Sequence, residues 1–412
     1  MSSRVLAADL LKHVGARVRV AGWVHRRRRL KSVTFVVVRD RSGFSQVVLR
    51  SGEAPPEETV VEVHATVTAN PRAPGGVELT EPVVETVSEP ALPPPFDLYR
   101  PAVTAALPTI LDHASVALRH PALKARFALS AAAVRGFRST LDALGFTETH
   151  TPKIVASATE SGANVFGIDY FGRPAYLAQS PQFYKQALVG VFERVYEVGP
   201  VFRAEPHDTA RHLAQYTSLD AELGFIRDHH DVMAVLREVL AGMAEAVSPF
   251  DVQVPEVPAR IPEIHFADAL KLVGAPADEP DLAPAHERAL SEWARREHGS
   301  EFLFVTGYPM AKRPFYTHPD PARPEYSNSF DLLFRGLELV TGGQRLHRHE
   351  DYLAVLGAAA AEYRDYLAAF AHGMPPHGGF AIGLERWTAR LLGVANVREV
   401  TLFPRDLHRL TP

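Results

Sequence analysis

Alternating apolar and polar positions dominate the first 88 residues of the chain. The strand-like runs are rich in β-branched residues, and turn sequences such as RSG and PGG separate several of them. Alternation with a period of two is typical of strands that bury one face. The pattern therefore predicts a small β domain over residues 1–88, built from RVRVAGWV, TFVVVRD, FSQVVLR, TVVEVHATVTA and GVELTEPVVETV.

The periodicity changes after this domain. Residues 89–115 are rich in proline and predict a hinge. Beyond it, the apolar positions of LKARFALSAAAVRGFRSTLDALGF recur at helical spacing, and strand-like runs alternate with helical ones to the end of the chain. Residues 116–412 are therefore predicted to form a second domain in which helices and strands are mixed.

Two apolar, alternating runs on either side of a polar loop predict a β-hairpin within the second domain, VYEVGPVFRAEPHDTARHLAQYTSLDAELGF. Arg203 and Glu205 are two positions apart, so on a strand their side chains face the same way. Arg211 and His212 lie at the far side of the loop. Such a group suits a phosphate chain whose charge shifts during a reaction. The alternative is a surface hairpin with solvated charges.

Length, charge and cysteine content narrow the possible functions. A chain of 412 residues is long enough for two or three domains with sizeable cores. The net charge of −4 provides no overall basic field, so any contact with nucleic acid has to be local. The absence of cysteine excludes disulfides, thiolate zinc sites and cysteine nucleophiles. No apolar run approaches about 18 residues and the N-terminus has no signal-peptide pattern, which predicts a cytoplasmic protein without a membrane partner.

A local nucleic-acid contact is indicated within the first domain. The stretch HRRRRLKSVTF sets five cations beside an aromatic residue, which combines charge for the backbone with a ring for base stacking. Phe35 is the candidate stacking residue, and Gln46 is a candidate reader of a base edge. Five short strands with one cationic side predict an OB-fold barrel. In the alternative interpretation the stretch is a solvated basic turn and Phe35 belongs to the barrel core.

Three motifs of the second domain occur in the order found in class II aminoacyl-tRNA synthetases. The hairpin, fRaE-loop-RHxxxxxxxDxE, resembles motif 2 of the aspartyl/asparaginyl branch; a helix, strand and proline before residue 155 resemble motif 1, and GGFAIGLER resembles motif 3. The resemblance implies an α+β protein with an N-terminal OB-fold β-barrel that binds the anticodon, and a catalytic domain whose antiparallel sheet is flanked by helices. It also implies a homodimer joined through motif 1. Neither a Walker A loop nor a dinucleotide GxGxxG motif is present.

The resemblance assigns the ATP contacts mainly to motifs 2 and 3. Arg203 would grip the α-phosphate and the substrate carboxylate, and Glu205 the adenine amino group. Arg386 would stack on adenine or grip the γ-phosphate, which makes Arg203 and Arg386 the predicted catalytic residues. The full predicted ATP set is Arg203, Glu205, Arg211, His212, Leu213, Glu338, Gly383, Leu384, Glu385 and Arg386.

The predicted amino-acid pocket contains two cations. QSPQFYKQ would begin a helix capped by Ser180 and Pro181, with Gln182 and Lys185 on one face. An aspartate side chain needs a cation in a dry pocket, which Lys185 can supply. The motif QSPQFYKQ resembles that of the aspartate-specific branch. The alternative is that Lys185 is a surface lysine. Asp220 could hold the Lys185 ammonium group, while Arg345 could bind the substrate side chain in a bidentate manner. With Glu160 for the substrate ammonium group, the predicted set is Glu160, Gln182, Lys185, Arg203, Asp220, Thr341 and Arg345.

Two acidic residues are predicted to bind Mg²⁺. Asp331 and Glu338 lie seven positions apart, with an Arg-Gly turn between strand-like runs, and the resemblance implies that they face the ATP phosphates. Carboxylate oxygens suit Mg²⁺, and the hydroxyl of Thr341 can serve where relatives usually carry serine. A structural salt bridge to Arg335 is the alternative for both acids. The HHD sequence at residues 229–231 is predicted to be a solvated helix start instead of a metal site.

The resemblance also bears on the choice of tRNA. Members that charge only tRNA(Asp) tend to carry Trp where this chain has His25 and Lys where it has Pro74, whereas relaxed members tend to carry His and Pro. The implied reaction is activation of aspartate by ATP and its transfer to both tRNA(Asp) and tRNA(Asn), with a functional link to an Asp-tRNA(Asn) amidotransferase. The alternatives are a discriminating aspartyl enzyme, an asparaginyl enzyme, against which Lys185 argues, and a relative that has lost catalysis. The predicted anticodon contacts are His25, Phe35, Gln46 and Pro74.

Overall fold

The computed structural model describes residues 3–156 and 164–411. The chain divides into two compact units, Met1–Ala122 and Leu123–Pro412, and the predicted hinge, residues 89–115, falls within the first unit. Within the described ranges, no helix combines the length and the apolar character that crossing a membrane requires.

The first unit contains a closed barrel of five strands, as predicted, in the order β1-β2-β3-β5-β4. Alternate residues point inward, and the β-branched side chains that indicate strands in the sequence, such as Val20, Val47 and Val61, fill the core. The strands are β1 (Arg17–Arg29), β2 (Thr34–Arg39), β3 (Phe44–Leu49), β4 (Val60–Ala69) and β5 (Val77–Thr86), and two short helices follow, α1 (Leu107–Asp112) and α2 (Ala114–Ala117).

The second unit is built on a large sheet with helices around it. Its strands are β6 (Thr147–Glu148), β7 (Ile154–Val155), β8 (Gly167–Tyr170), β9 (Arg173–Leu177), β10 (Arg194–Phe202), β11 (Gln215–Gly224), β12 (Glu263–His265), β13 (Phe302–Thr306), β14 (Ser329–Phe334), β15 (Leu337–Gln344) and β16 (His377–Gly383). The helices from the third onward are α3 (Pro121–Ala143), α4 (Gln182–Phe192), α5 (His229–Val247), α6 (Phe266–Val273), α7 (Pro284–His298), α8 (His349–Leu356), α9 (Arg364–Ala371) and α10 (Leu384–Leu392).

The large sheet has the strand order β12-β13-β14-β15-β16-β11-β10-β6. Its six central strands are antiparallel, as predicted, whereas β12 and β6 pair in parallel at the two edges. The strands β7, β9 and β8 form a separate small sheet. The main core joins the helices α3 and α5 to the sheet through large apolar side chains, among them Phe137, Met243, Phe330 and Phe380.

The predicted hairpin is formed by β10 and β11, which pair along their whole length. Its position in the sheet decides where the polar residues lie, because β11 has β16 as its other neighbour and β16 pairs in turn with β15. The three strands β11, β16 and β15 therefore bring the second half of motif 2, motif 3 and two of the predicted metal ligands, Glu338 and Thr341, next to one another.

Candidate active site

A cavity of about 370 Å³ opens where the hairpin loop, β15, β16 and α10 meet. All of the residues predicted to contact ATP line it, with the exception of Leu384, whose side chain packs against the main core because it starts the amphipathic helix α10. The lining residues are Arg203, Glu205, His207, Arg211, His212, Leu213, Ala214, Tyr216, Ser218, Glu338, Leu339, Thr341, Ala381, Ile382, Gly383, Glu385, Arg386, Val397 and Leu407.

Arg203 and Glu205 lie in the loop and not on a strand, in contrast to the sequence-based prediction. The strand β10 ends at Phe202, although the backbone N–H of Arg203 still donates to the carbonyl of Ala214 at 2.8 Å. This last rung holds the two sides of the loop together at the mouth of the cavity. Both predicted side chains consequently reach the cavity from a loop that is anchored at its base.

Arg386, Glu338 and Thr341 form one connected group at the cavity. The guanidinium Nη1 of Arg386 donates to the backbone carbonyl of Glu338 at 3.0 Å and lies 3.6 Å from its carboxylate. The hydroxyl of Thr341 donates to the same carboxylate at 3.1 Å. A β-bulge at this point of β15 lets Glu338 and Thr341, three positions apart, face the same side.

Glu287 is a member of the site that the sequence analysis did not identify. Its buried carboxylate accepts two hydrogen bonds from Arg211, at 2.7 and 3.1 Å, and a third from the backbone N–H of Glu338 at 3.0 Å. It lies on α7, where charged residues are frequent and no pattern distinguishes this one. The carboxylate ties the hairpin loop to β15 and fixes the position of Arg211.

Asp331, Glu338 and Thr341 offer oxygen ligands on two adjacent strands. Asp331 is paired with Thr341 across β14 and β15, and its buried carboxylate forms an ion pair with Arg313 at 3.0 Å. Desolvation, which outweighs the attraction of Arg313, raises the pKa of Asp331 to about 6. The suggested salt bridge to Arg335 is wrong, because Arg335 pairs with Glu301 at 2.7 Å. Two carboxylates and a hydroxyl fit a hard divalent cation such as Mg²⁺.

Alternate residues of β11 lead from the cavity to a buried cluster of charged side chains. Ser218 lines the cavity and donates to Asp220 at 2.5 Å. Asp220 accepts from the ammonium group of Lys185 at 3.0 Å, as predicted, and the same ammonium lies 3.3 Å from Glu222. Lys185 is only 2 % exposed, so the alternative of a surface lysine is wrong.

Glu222 joins the two predicted cations of the pocket. It lies 3.3 Å from Lys185 and accepts a hydrogen bond from Nε of Arg345 at 3.0 Å. Desolvation is the largest single influence on the pKa of Glu222 and raises it. The charges of Arg345 and Lys185 nevertheless hold this pKa below its ordinary value. The sequence contained a usable signal for this residue, since Glu222 is two positions after Asp220 on the same strand face. Gly379 makes room for it, because a Cβ there would lie 2.1 Å from the carboxylate.

The remaining predicted pocket residues occupy different positions. The amide of Gln182 donates to Gln186 at 3.0 Å, one turn further along α4. The helix begins at Gln182 with Pro181 as N-cap, and Ser180 accepts from the backbone N–H of Gln182 at 3.3 Å. Glu160 lies outside the described residues.

The predicted anticodon residues are distributed over the barrel. Phe35 is half-buried on the outer face beside Arg28 and lies outside the core cluster, so the barrel-core alternative is wrong. Gln46 is on the same face and contacts Glu78 at 3.3 Å, and Pro74 is exposed in a turn.

His25 is buried, in contrast to the other three anticodon residues. Its Nδ1 lies 3.1 Å from the guanidinium of Arg39, which binds Glu58 with two hydrogen bonds, and its ring packs against Phe44 and Tyr99. Desolvation, followed by the charge of Arg39, lowers the pKa of His25 to about 4. An effect of His25 on tRNA choice would therefore act by shaping the surface above it.

Glu385 provides a pH-dependent contribution to stability. Burial raises its pKa to about 7 against an ordinary 4.5, although the carboxylate accepts from the backbone N–H of Thr217. A raised carboxyl pKa stabilises the fold at low pH, and this contribution is lost as the pH rises through 7. We expect Glu385→Gln to gain stability over wild type by about 2–3 kcal/mol between pH 5 and pH 8, measured by urea unfolding of the second unit. Glu301→Gln is the control, and an equal offset at both pH values would contradict the expectation.

The comparisons with known proteins identify the family of the chain. The signature of tRNA synthetases class II (D, K and N) matches residues 107–407, and that of an OB-fold nucleic acid binding domain matches residues 18–87. The chain belongs to the class II tRNA synthetases of the D, K and N group, which confirms the predicted family.

Relatives and solved structures cover nearly the whole chain. It is 46% identical to the aspartate–tRNA(Asp/Asn) ligase of Thermus thermophilus, over 99% of this chain and 100% of the relative, and 42% identical to that of Aeropyrum pernix, over 97% and 96%. An asparaginyl-tRNA synthetase from Pyrococcus horikoshii, solved with asparaginyl-adenylate, superimposes with a TM-score of 0.89 at 29% identity over 100% of both chains. A putative aspartyl-tRNA synthetase from Leishmania major Friedlin reaches 0.87 at 28% identity, over 100% and 94%.

Proposed function

We propose that this protein is an aspartate–tRNA ligase that activates L-aspartate with ATP and transfers it to tRNA(Asp) and tRNA(Asn). The observation that carries the proposal is the buried cluster of Lys185, Asp220, Glu222 and Arg345, which Ser218 links to the cavity by its hydrogen bond to Asp220. Two fixed cations in a dry pocket suit a ligand with a second carboxylate. The names of the relatives at 46% identity support the same substrate.

The chemistry requires positioning and charge stabilisation, with no nucleophilic side chain. The α-carboxylate of aspartate attacks the α-phosphorus of ATP, the bond to the β-phosphate oxygen breaks, and pyrophosphate leaves. Arg203 and Arg386, which line the same cavity, would stabilise the charge that develops on the phosphate oxygens. In the second step the 3′-terminal ribose hydroxyl of the tRNA attacks the aspartyl carbonyl, loses its proton, and AMP leaves.

Mg²⁺ is the metal that the donor set would hold. Asp331, Glu338 and Thr341 would bind it, directly or through water, and it would supply positive charge beside the phosphates. Arg313 keeps Asp331 in place through the buried ion pair at 3.0 Å. Arg211, held by Glu287, would lie near the pyrophosphate.

The further partners follow from the proposed reaction. Charging tRNA(Asn) with aspartate requires an amidotransferase that converts the product to Asn-tRNA(Asn). Two copies of the chain would associate through α3 and the strand that follows it. Since the reaction consumes tRNA, ATP and aspartate, the expected localisation is the cytoplasm.

Aminoacylation of both pure tRNAs tests the specificity. We expect kcat/KM values for tRNA(Asp) and tRNA(Asn) transcripts within about tenfold, a difference of about 1.4 kcal/mol in transition-state binding. Pro74→Lys is expected to lower charging of tRNA(Asn) more than that of tRNA(Asp), because an exposed cation is added where the anticodon would bind. Val83→Lys adds the same charge at another exposed position of the barrel and serves as control. Charging of tRNA(Asn) hundreds of times poorer in wild type would point to a discriminating enzyme.

A further inference from the structure

One carboxylate and two imidazoles cluster at the start of α5. An oxygen of Asp228 and one nitrogen each of His229 and His230 all lie within 4.8 Å of one another. Asp228 is the N-cap of the helix, and its Oδ1 accepts from the backbone N–H of His230 at 2.8 Å. The cap fixes the carboxylate where the two imidazoles converge. No part of this cluster lines the cavity of the proposed active site.

His229 differs from an ordinary helix-start histidine. Its side chain is only 8 % exposed, so the predicted solvated helix start is wrong for this residue. Both ring nitrogens are inaccessible to solvent, and neither has a hydrogen-bond partner within the described part of the chain. A buried polar group in this condition calls for an explanation, and a bound ligand is one of the few available.

His230 has the surroundings of a metal-binding histidine. Its Nδ1 lies 3.1 Å from Oδ1 of Asp228, and its Nε2 lies 3.3 Å from Oε1 of Glu263 on β12. Glu263 is itself held by the hydroxyl of Thr306 at 3.1 Å. A carboxylate on the outer nitrogen of a ligating histidine fixes the ring orientation and raises the basicity of the inner nitrogen.

We propose that Asp228, His229 and His230 bind one first-row transition cation, of the class of Zn²⁺ or Co²⁺, with Glu263 orienting His230. Two imidazole nitrogens and one carboxylate oxygen suit such ions, whereas Mg²⁺ and Ca²⁺ take oxygen ligands. Ligands at about 2.1 Å in a tetrahedron are about 3.4 Å apart, close to the 3.1 Å between Asp228 and His230. Water would complete the fourth position.

Asp231 does not belong to the site, although the HHD sequence includes it. It forms an ion pair with Arg227 at 2.7 Å and also accepts the backbone N–H of that residue. The ligand set is therefore DHH at residues 228–230. Through Glu263 the ion would connect the start of α5 with the edge strand β12, which gives it a structural role separate from the proposed reaction.

Cobalt titration of the chelator-treated full-length protein tests the site. Excess Mg²⁺ is included, because it would occupy the oxygen ligands at Asp331 and Glu338. We expect one equivalent of Co²⁺ to bind with visible absorption bands, and one equivalent of Zn²⁺ to displace it. Glu263→Gln, which changes only the outer partner, is expected to weaken binding by about 10- to 100-fold.

The ligand variants provide the decisive comparison. His230→Gln should abolish the absorption bands, and Asp228→Asn should weaken binding while preserving the helix cap, since Asn caps nearly as well as Asp. These two keep the test available if His229→Gln does not fold. His372→Gln, at an exposed histidine, is a matched control that should bind normally. Absence of saturable binding, or binding that survives in His230→Gln, would overturn the proposal.

Discussion

Replacing Lys185 with methionine is expected to lower kcat/KM for aspartate in ATP–pyrophosphate exchange by about 150-fold. Methionine preserves most of the apolar stem and removes the ammonium group that lies between Asp220 and Glu222 at 3.0 and 3.3 Å. A buried, hydrogen-bonded charge that loses its partner typically costs about 3 kcal/mol, and about 1.4 kcal/mol corresponds to a factor of ten. The loss should appear in KM for aspartate, while KM for ATP stays close to the wild-type value.

Destabilisation has to be separated from loss of binding in this variant. Removing one partner of a buried ion pair also lowers the free energy of unfolding by about 3–5 kcal/mol. Arg39→Met is the matched control, because it deletes a buried cation that binds Glu58 in the barrel, which pyrophosphate exchange does not need. If Lys185→Met activates aspartate within fivefold of wild type, the pocket does not bind the substrate side chain. Exchange by wild type that is faster with asparagine would support the asparaginyl alternative.

The charges within the pocket explain why position matters more than net charge. Lys185 and Arg345 are balanced by Asp220 and Glu222, so the four side chains together are neutral. An aspartate side chain would add a negative charge to this neutral group. Its binding is favoured electrostatically only if its oxygens lie closer to the two cations than to the two acids. The strand β11 fixes both acids, the helix α4 carries Lys185, and Arg345 directly follows β15, so regular elements determine where each charge lies.

Local patterns were sufficient for the architecture. Alternation in the first 88 residues predicted all five barrel strands, because each strand buries one face and exposes the other. The hairpin was equally visible, and the pairing of Lys185 with Asp220 followed from the resemblance. In these cases the information lies within a few neighbouring positions, or within motifs that keep their spacing.

Contacts between distant segments were not predictable in the same way. Glu287 contacts Arg211 and Glu338 from a helix whose sequence does not distinguish this residue from its charged neighbours. Arg313 forms its ion pair with Asp331 from a loop. His229 looked like a solvated residue because its burial depends on elements that are distant in sequence. Such contacts arise only when the whole sheet is assembled, and no periodicity along the chain encodes them.

Arg386→Met is expected to lower the rate of adenylate formation by about 10³-fold. Arg386 leaves the first turn of α10 beside the cavity, and its guanidinium is held by the carbonyl of Glu338 at 3.0 Å. A preorganised donor aimed at developing charge typically contributes a factor of about 10²–10³, and here the full positive charge is lost with it. Single-turnover formation of the adenylate at saturating ATP measures this rate without a contribution from product release.

Arg386→Lys distinguishes the geometry of the guanidinium from its charge. Lysine keeps the positive charge but cannot present a planar fork, so we expect a rate between that of wild type and that of Arg386→Met. Arg296→Met removes an exposed arginine that pairs with Glu297 on α7, and it should leave the rate within about threefold. Equal rates for Arg386→Lys and wild type would mean that only charge matters at this position, which would exclude stacking on adenine. A normal rate for Arg386→Met would mean that Arg386 is not a catalytic residue, because the rate of adenylate formation depends directly on positive charge at the phosphates.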